Sequence, residues 1–305
     1  IEAAAKSIAP VLKKGDLVIL ESTSPVGATE QLAQWLSEFR ADLTFTQSHG
    51  ENADVNVAHC PERVLPGHVV RELVQNDRVI GGISLKCSEK AIELYKTFVE
   101  GECVVTNART AEMAKLTENS CRDVQIAFAN ELSIICDKLD INVWELISLA
   151  NRHPRINILQ PGPGVGGHCI AVDPWFIVSS APQEAKLIHM SRKINDLKPL
   201  WVIEKVEAAV AEFVKHNTNK RNLSPQRCCY GLAFKADIDD LRESPALDIA
   251  LNLARHYPDM VAAVEPNIKL LPADCAEVLR LETDINKARN PDIKVRLVHH
   301  KALKQ

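Results

Sequence analysis

Lys13-Lys14-Gly15-Asp16-Leu17-Val18-Ile19-Leu20-Glu21-Ser22-Thr23-Ser24-Pro25 is the stretch on which the fold turns. Before it, residues 1–12 repeat apolar side chains at helical spacing, and the Lys-Lys-Gly-Asp turn ends that pattern. Leu17-Val18-Ile19-Leu20 is then a short, continuous apolar run of the kind a buried strand needs. A helix feeding directly into a strand belongs to the middle of an alternating α/β domain, so an earlier strand is expected upstream of Ile1. Working outward, the pattern predicts a helix over 28–39, strands over 55–59 and 78–81, a helix over 88–99 and a strand over 103–105. That is the later part of a doubly wound domain.

From 110 to about 139 there is no Gly or Pro and good helix formers dominate, which predicts a long helix. A second one runs over 184–216, interrupted only by Pro199. After 220–225 the alternation resumes, with strands over 227–232, 260–264 and 293–298 and helices over 245–256 and 273–281. The expected architecture is α/β: two doubly wound Rossmann-like domains, the first incomplete, joined by a helical segment with long helices. The boundaries fall at 1–107, 108–217 and 218–305, with the last domain possibly also cut short. Long helices between α/β domains often pack between subunits, so a homodimer is expected.

The 305 residues are 46% apolar and 25% charged, which places the chain among folded globular proteins. A net charge of −4, with no basic run interleaved with aromatics, argues against nucleic acid as a partner. No apolar stretch reaches the roughly 18–20 residues of a membrane span, and the first residues lack the order of a signal peptide. The expected compartment is the cytoplasm. Nine cysteines without a C-x-x-C pair suit a reducing environment and give no metal-ligand spacing.

Gly162-Pro163-Gly164-Val165-Gly166-Gly167 formally matches G-x-G-x-x-G, but a proline ends the run before it and Pro174 follows soon after. A dinucleotide fingerprint must instead follow a strand and open a helix. The glycines frame Cys169, where backbone N–H groups and His168 could favour the thiolate, the nucleophilic form. The bland alternative is a Gly-rich turn with an incidental cysteine. Lys115 and Asn119, four residues apart, share a helix face with Glu112 and Arg122 extending it, suited to an oxyanion or a water, or else simply to solvent. Thr23 and Glu62 follow strands, at the carboxyl edge where α/β enzymes build sites; a helix cap and a surface carboxylate are the alternatives. Lys235, Arg242 and the helix opened by Ser244-Pro245 converge on one sheet edge as an anion site or a salt-bridge cluster.

Six segments in order resemble the UDP-glucose/UDP-mannosamine dehydrogenase family: 21–26, 61–67, 76–82, 111–119, 162–175 and 231–244. The resemblance implies that Cys169 is the nucleophile, that Lys115 and Asn119 stabilise oxyanionic intermediates, and that Glu62 is an acid/base. It implies that Thr23 and Asp173 position or activate the hydrolytic water. The substrate side would comprise Arg63, Lys115, Asn119, Arg155, Gly166 and Lys235, and Thr23, Glu62 and Lys235 are candidates for the cofactor side. Such enzymes oxidise the C6 alcohol of a UDP-sugar twice with NAD, holding the aldehyde on a thiol.

Val172 before Asp173, and Pro66 where glucose-type members carry a second Glu, point to the N-acetylhexosamine branch, with UDP-N-acetyl-D-mannosamine the expected substrate. The Gly-rich turn and ribose-binding carboxylate are expected upstream of Ile1, so weak NAD binding by this stretch alone is expected. Two other readings stay open. A 6-phosphogluconate- or 3-hydroxyacid-type dehydrogenase also places Lys and Asn one turn apart, and a non-catalytic nucleotide-sugar-binding fragment needs no cofactor turn.

Overall fold

The computed structural model describes residues 1–64, 69–217, 225–285 and 291–303. Pro66 and the 220–224 part of the inferred linker lie outside them. The chain forms two compact units, 1–120 with 173–185, and 121–172 with 186–305. The segment 108–217 thus contributes to both units.

In the first unit, α1 (Glu2–Ile8) leads into β1 (Leu17–Leu20), α2 (Ala28–Phe39), α3 (Thr46–His49) and β2 (Asn56–His59). Then follow α4 (Val69–Gln75), β3 (Arg78–Gly82), α5 (Leu85–Tyr95), β4 (Cys103–Asn107) and α6 (Ala108–Lys138), the last continuing beyond Ser120 into the second unit. The strands lie in the order β1-β2-β3-β4. β1/β2 and β3/β4 are parallel, whereas β2/β3 is antiparallel, so this sheet is mixed. Alternation along the strands covers both faces. Val18, Leu20 and Val57 pack with Leu32, Ala33 and Leu36 of α2, while Leu17, Ile19 and Ala58 pack with Ala91 and Tyr95 of α5.

The second unit holds α7 (Val143–Ala150) and α9 (Lys186–His216); α8 (Asp173–Ser180) belongs to the first. α9 runs through Pro199 without a break. β5 (Arg227–Tyr230), α10 (Pro245–His256), β6 (Val261–Val264), α11 (Ala273–Ala276), β7 (Arg280–Glu282) and β8 (Ile293–Arg296) follow. Their sheet is parallel throughout, in the order β7-β6-β5-β8. The direction of crossing reverses between β5 and β8, which makes their carboxyl ends a topological switch point. Ile249, Ala250 and Leu253 of α10 bury one face of this sheet, joined by Val202 and Val206 of α9.

Two expectations on element bounds are corrected. The helix expected over 273–281 stops at Ala276, because Arg280–Glu282 pair as a strand with β6. The helix expected over 88–99 begins earlier, at Leu85, where the Ser84 hydroxyl accepts the Cys87 N–H as an N-cap.

Candidate active site

In the first unit the carboxyl ends of β1 and β2 stay bonded past the strands: Cys60 N–H donates to Leu20 O and Glu62 N–H to Glu21 O, at 3.1 and 3.2 Å. Thr23, half-buried, and Glu62 therefore stand on one edge. Arg78, only 1% exposed, places Nη1 3.4 Å from both carboxylate oxygens of Glu62, and Arg63 N–H donates to Glu62 Oε1 at 2.7 Å. Arg63 in turn pairs with Glu118 of α6 at 2.6 Å, next to Asn119.

Asn119 Nδ2 donates to Asp173 Oδ2 at 2.5 Å. Burial pushes the Asp173 carboxyl up, against the opposing pull of the Asn119 hydrogen bond and the Lys115 charge. Lys115, Asn119 and Asp173 thus form one electrostatic cluster. Glu112 does not extend it. Its carboxylate is fully buried and caps α2, accepting from Gly27 N–H (2.6 Å), Thr29 N–H (2.7 Å) and Thr29 Oγ1 (2.6 Å). Arg122 is exposed and lies in the second unit.

In the second unit, the 158–168 segment is a loop with neither a strand before it nor a helix directly after it. Gly166 has a steric reason to be glycine: an added Cβ would lie 2.3 Å from Glu243 O. Gly167 N–H donates to Arg242 O at 3.2 Å, so the loop lies against the 242–245 segment. Cys169 is exposed there, and the hydrogen bonds to Asp240 hold the Arg242 guanidinium above its ordinary value. Asp240 is lowered by those bonds first, with a smaller contribution from His168. Arg242 is thus engaged by Asp240 at 2.6 Å, while Lys235 on the same loop is exposed. Arg155 stands exposed on the 151–157 turn.

Of the other eight cysteines, Cys121 is exposed, Cys103 half-buried and the rest buried. Desolvation pushes Cys60 up to about 11 and Cys229 to about 12, which makes them inert thiols.

Sequence reasoning passed over the polar groups that hold this loop from behind. Gly162 N–H donates to Asn130 Oδ1, Asn130 Nδ2 to Asn195 Oδ1, and Asn195 Nδ2 to Asp123 Oδ1, at 2.9, 2.9 and 2.8 Å. Arg192 donates to Asp123 at 2.6 Å, and all four side chains are buried. Polar residues inside otherwise apolar helix faces were the available signal. Glu265 and His300 were also missed. An acidic residue just after the second strand of a Rossmann-like unit was a signal for Glu265; nothing marked His300.

The sequence profile of the UDP-glucose/GDP-mannose dehydrogenase family matches in three parts: the NAD binding domain over 1–99, the central domain over 109–197 and the UDP binding domain over 228–305. The chain belongs to this family. An NAD-dependent UDP-sugar dehydrogenase is therefore its enzymatic class, which sets aside the hydroxyacid-dehydrogenase reading. Among family members, the UDP-N-acetyl-D-mannosamine dehydrogenase of Yersinia pestis is 64% identical over the whole of this chain and 72% of its own length. The NDP-N-acetyl-D-galactosaminuronic acid dehydrogenase of Ralstonia solanacearum is 60% identical over the whole chain and 70% of its own. The solved UDP-N-acetyl-mannosamine dehydrogenase from Staphylococcus aureus superposes with a TM-score of 0.81 at 41% identity, covering 99% of this chain and 67% of that one.

Proposed function

We propose that this family member oxidises the C6 alcohol of a UDP-N-acetylhexosamine, foremost UDP-N-acetyl-D-mannosamine, to the carboxylate through a thioester on Cys169. The observation that carries the reading is the Asn119–Asp173 hydrogen bond within reach of the Lys115 charge. It gathers a cation, an amide donor and a carboxylate at the start of α8, four residues along the chain from Cys169. The N-acetylated substrates named for the relatives, and Val172 before Asp173, favour the hexosamine branch.

In this mechanism Glu62 takes the proton of the C6 hydroxyl, directly or through water. The Cys169 thiolate then adds to the aldehyde carbon, and Lys115 and Asn119 stabilise the resulting oxyanion. Asp173 and Thr23 orient the water that cleaves the thioester and returns the thiol. NAD, when bound, supplies the hydride acceptor for both oxidations. The hydroxyl of Thr23 and the carboxylate of Glu62, on one carboxyl edge, have the donor and acceptor chemistry that its ribose and carboxamide need.

Supplied with NAD and UDP-N-acetyl-D-mannosamine, the enzyme should form two NADH per uronic acid. Cys169→Ser should reduce acid formation by at least about a thousandfold, roughly 4 kcal/mol on the barrier. One NADH per sugar with an aldehyde or ketone product, or faster turnover of UDP-glucose, would overturn the proposal.

A homodimer is part of the same reading. α9 leaves Leu187, Met190, Leu197 and Leu200 between 53% and 68% exposed, and α6 leaves Phe128 and Ile135 exposed. Such apolar helix surfaces are suited to a second copy. Among the described residues no helix is long and apolar enough to cross a membrane.

A further inference from the structure

Beside the switch point of the second sheet, at the end of β6, stands a carboxylate to which no role has been given. Glu265, directly after β6, is fully buried. Its Oε2 accepts the N–H groups of Leu232 and Ala233 at 2.7 and 3.1 Å, and its Oε1 accepts Asn267 N–H at 2.9 Å. Leu232 and Ala233 open the first strand-to-helix connection, 231–244, of a Rossmann-like unit. In such units backbone amides at that turn face an anionic ligand. Here the protein's own carboxylate fills that cradle.

His300, after β8, is also fully buried, with Nε2 2.9 Å from Glu265 Oε2 though not aligned on it as a hydrogen bond. Its Nδ1 accepts Asp237 N–H at 2.9 Å. Because a backbone N–H can only donate, Nδ1 carries no proton, and the neutral ring has its hydrogen on Nε2, toward the carboxylate. Asp237 has φ +60°, in the left-handed region that aspartate enters more readily than most residues with a side chain. Its carboxylate further accepts Lys301 N–H at 2.7 Å. The chain from 232 to 237 is therefore fastened on both sides of Lys235, by Glu265 before it and by His300 after it.

We infer that Glu265 and His300 are a positioning pair that holds the Lys235 loop for the diphosphate of a nucleotide sugar, Glu265 acting as an internal substitute for a bound anion. This rests on the reading of Lys235 as a UDP-sugar ligand. It also explains how this unit holds a mononucleotide: the place where a dinucleotide's pyrophosphate would lie is taken.

Calorimetric titration of the chain with UDP tests the pair. Glu265→Ala should weaken UDP binding at least about tenfold, because the buried N–H groups of Leu232 and Ala233 lose their acceptor, as does the N–H of Asn267. Sodium formate, which fits the vacated cradle, should restore most of that affinity, and sodium chloride at equal ionic strength should not. His300→Asn keeps an acceptor where Nδ1 stands and should bind UDP nearly as wild type does; His300→Leu keeps none and should weaken binding as Glu265→Ala does. A folded Glu265→Ala with wild-type affinity, or with lost affinity that formate does not return, overturns the proposal. Should Glu265→Ala not fold, wild-type UDP affinity in His300→Leu overturns it. Lys235→Ala separates the two readings. Unchanged UDP binding there removes the role of Lys235 itself, whereas weakened binding there with normal binding in Glu265→Ala and His300→Leu removes only the positioning pair.

Discussion

Asn119 and Asp173 are 54 positions apart, yet their side chains share the shortest contact of the candidate site at 2.5 Å. The helical spacing of Lys115 and Asn119 was legible because one periodicity governs any helix. The arrival of Asp173 beside them was not, since no local pattern encodes a contact between distant segments. Likewise the spacing placed Glu112 on the same face, and only packing shows its carboxylate turned to the start of α2. Asp173 carries a stability consequence. Its carboxyl is pushed up by burial, so the contribution it makes to folding is present at low pH and lost as pH rises through its folded value. Above that value the ionised group is a burden to the fold. Asp173→Asn, which can still accept from Asn119, should therefore melt higher than wild type at about pH 7, with the gain shrinking toward about pH 4. A variant that melts lower at neutral pH would contradict this.

At the scale of elements, the alternation of apolar runs located β1, α2, β4, α6, β5 and α10 closely, because each is bounded by a turn or a cap. Short helices were harder. α4 and α7 have seven and eight residues, too few for a periodicity to stand out, and α8 was read as the loop reaching Pro174, although Asp-Pro is also a helix opening. The antiparallel step between β2 and β3 left no trace in the sequence, since strand direction depends on the path of the connection. The cap on α10 was legible as Ser244-Pro245. What could not be read is its double duty: the Ser244 hydroxyl accepts Leu247 N–H at 3.4 Å and donates to Leu232 O at 2.6 Å while buried. Ser244→Ala should accordingly cost about 2 kcal/mol in denaturant unfolding, at the upper end for a cap, because a buried carbonyl is also left unsatisfied. A loss near zero would show that this hydroxyl does not anchor the turn after β5.

For the whole molecule, the exposed apolar stripe on α9 predicts the assembly state. Wild type should sediment as a dimer, and Met190→Lys with Leu197→Lys should shift it toward monomer without lowering helix content; a wild-type monomer at micromolar concentration would remove the inference. The Glu112 cap bears on a different kind of change. α6 grips the start of α2, at Gly27 and Thr29, through Glu112 and, three residues on, presents Lys115. Since each residue advances a helix by about 100° and 1.5 Å, one residue inserted between them would leave the grip in place and swing the ammonium to another side. The spacing of Glu112 and Lys115 along α6 therefore fixes the direction of the ammonium relative to the cap, and an insertion or deletion between them would turn it to another face.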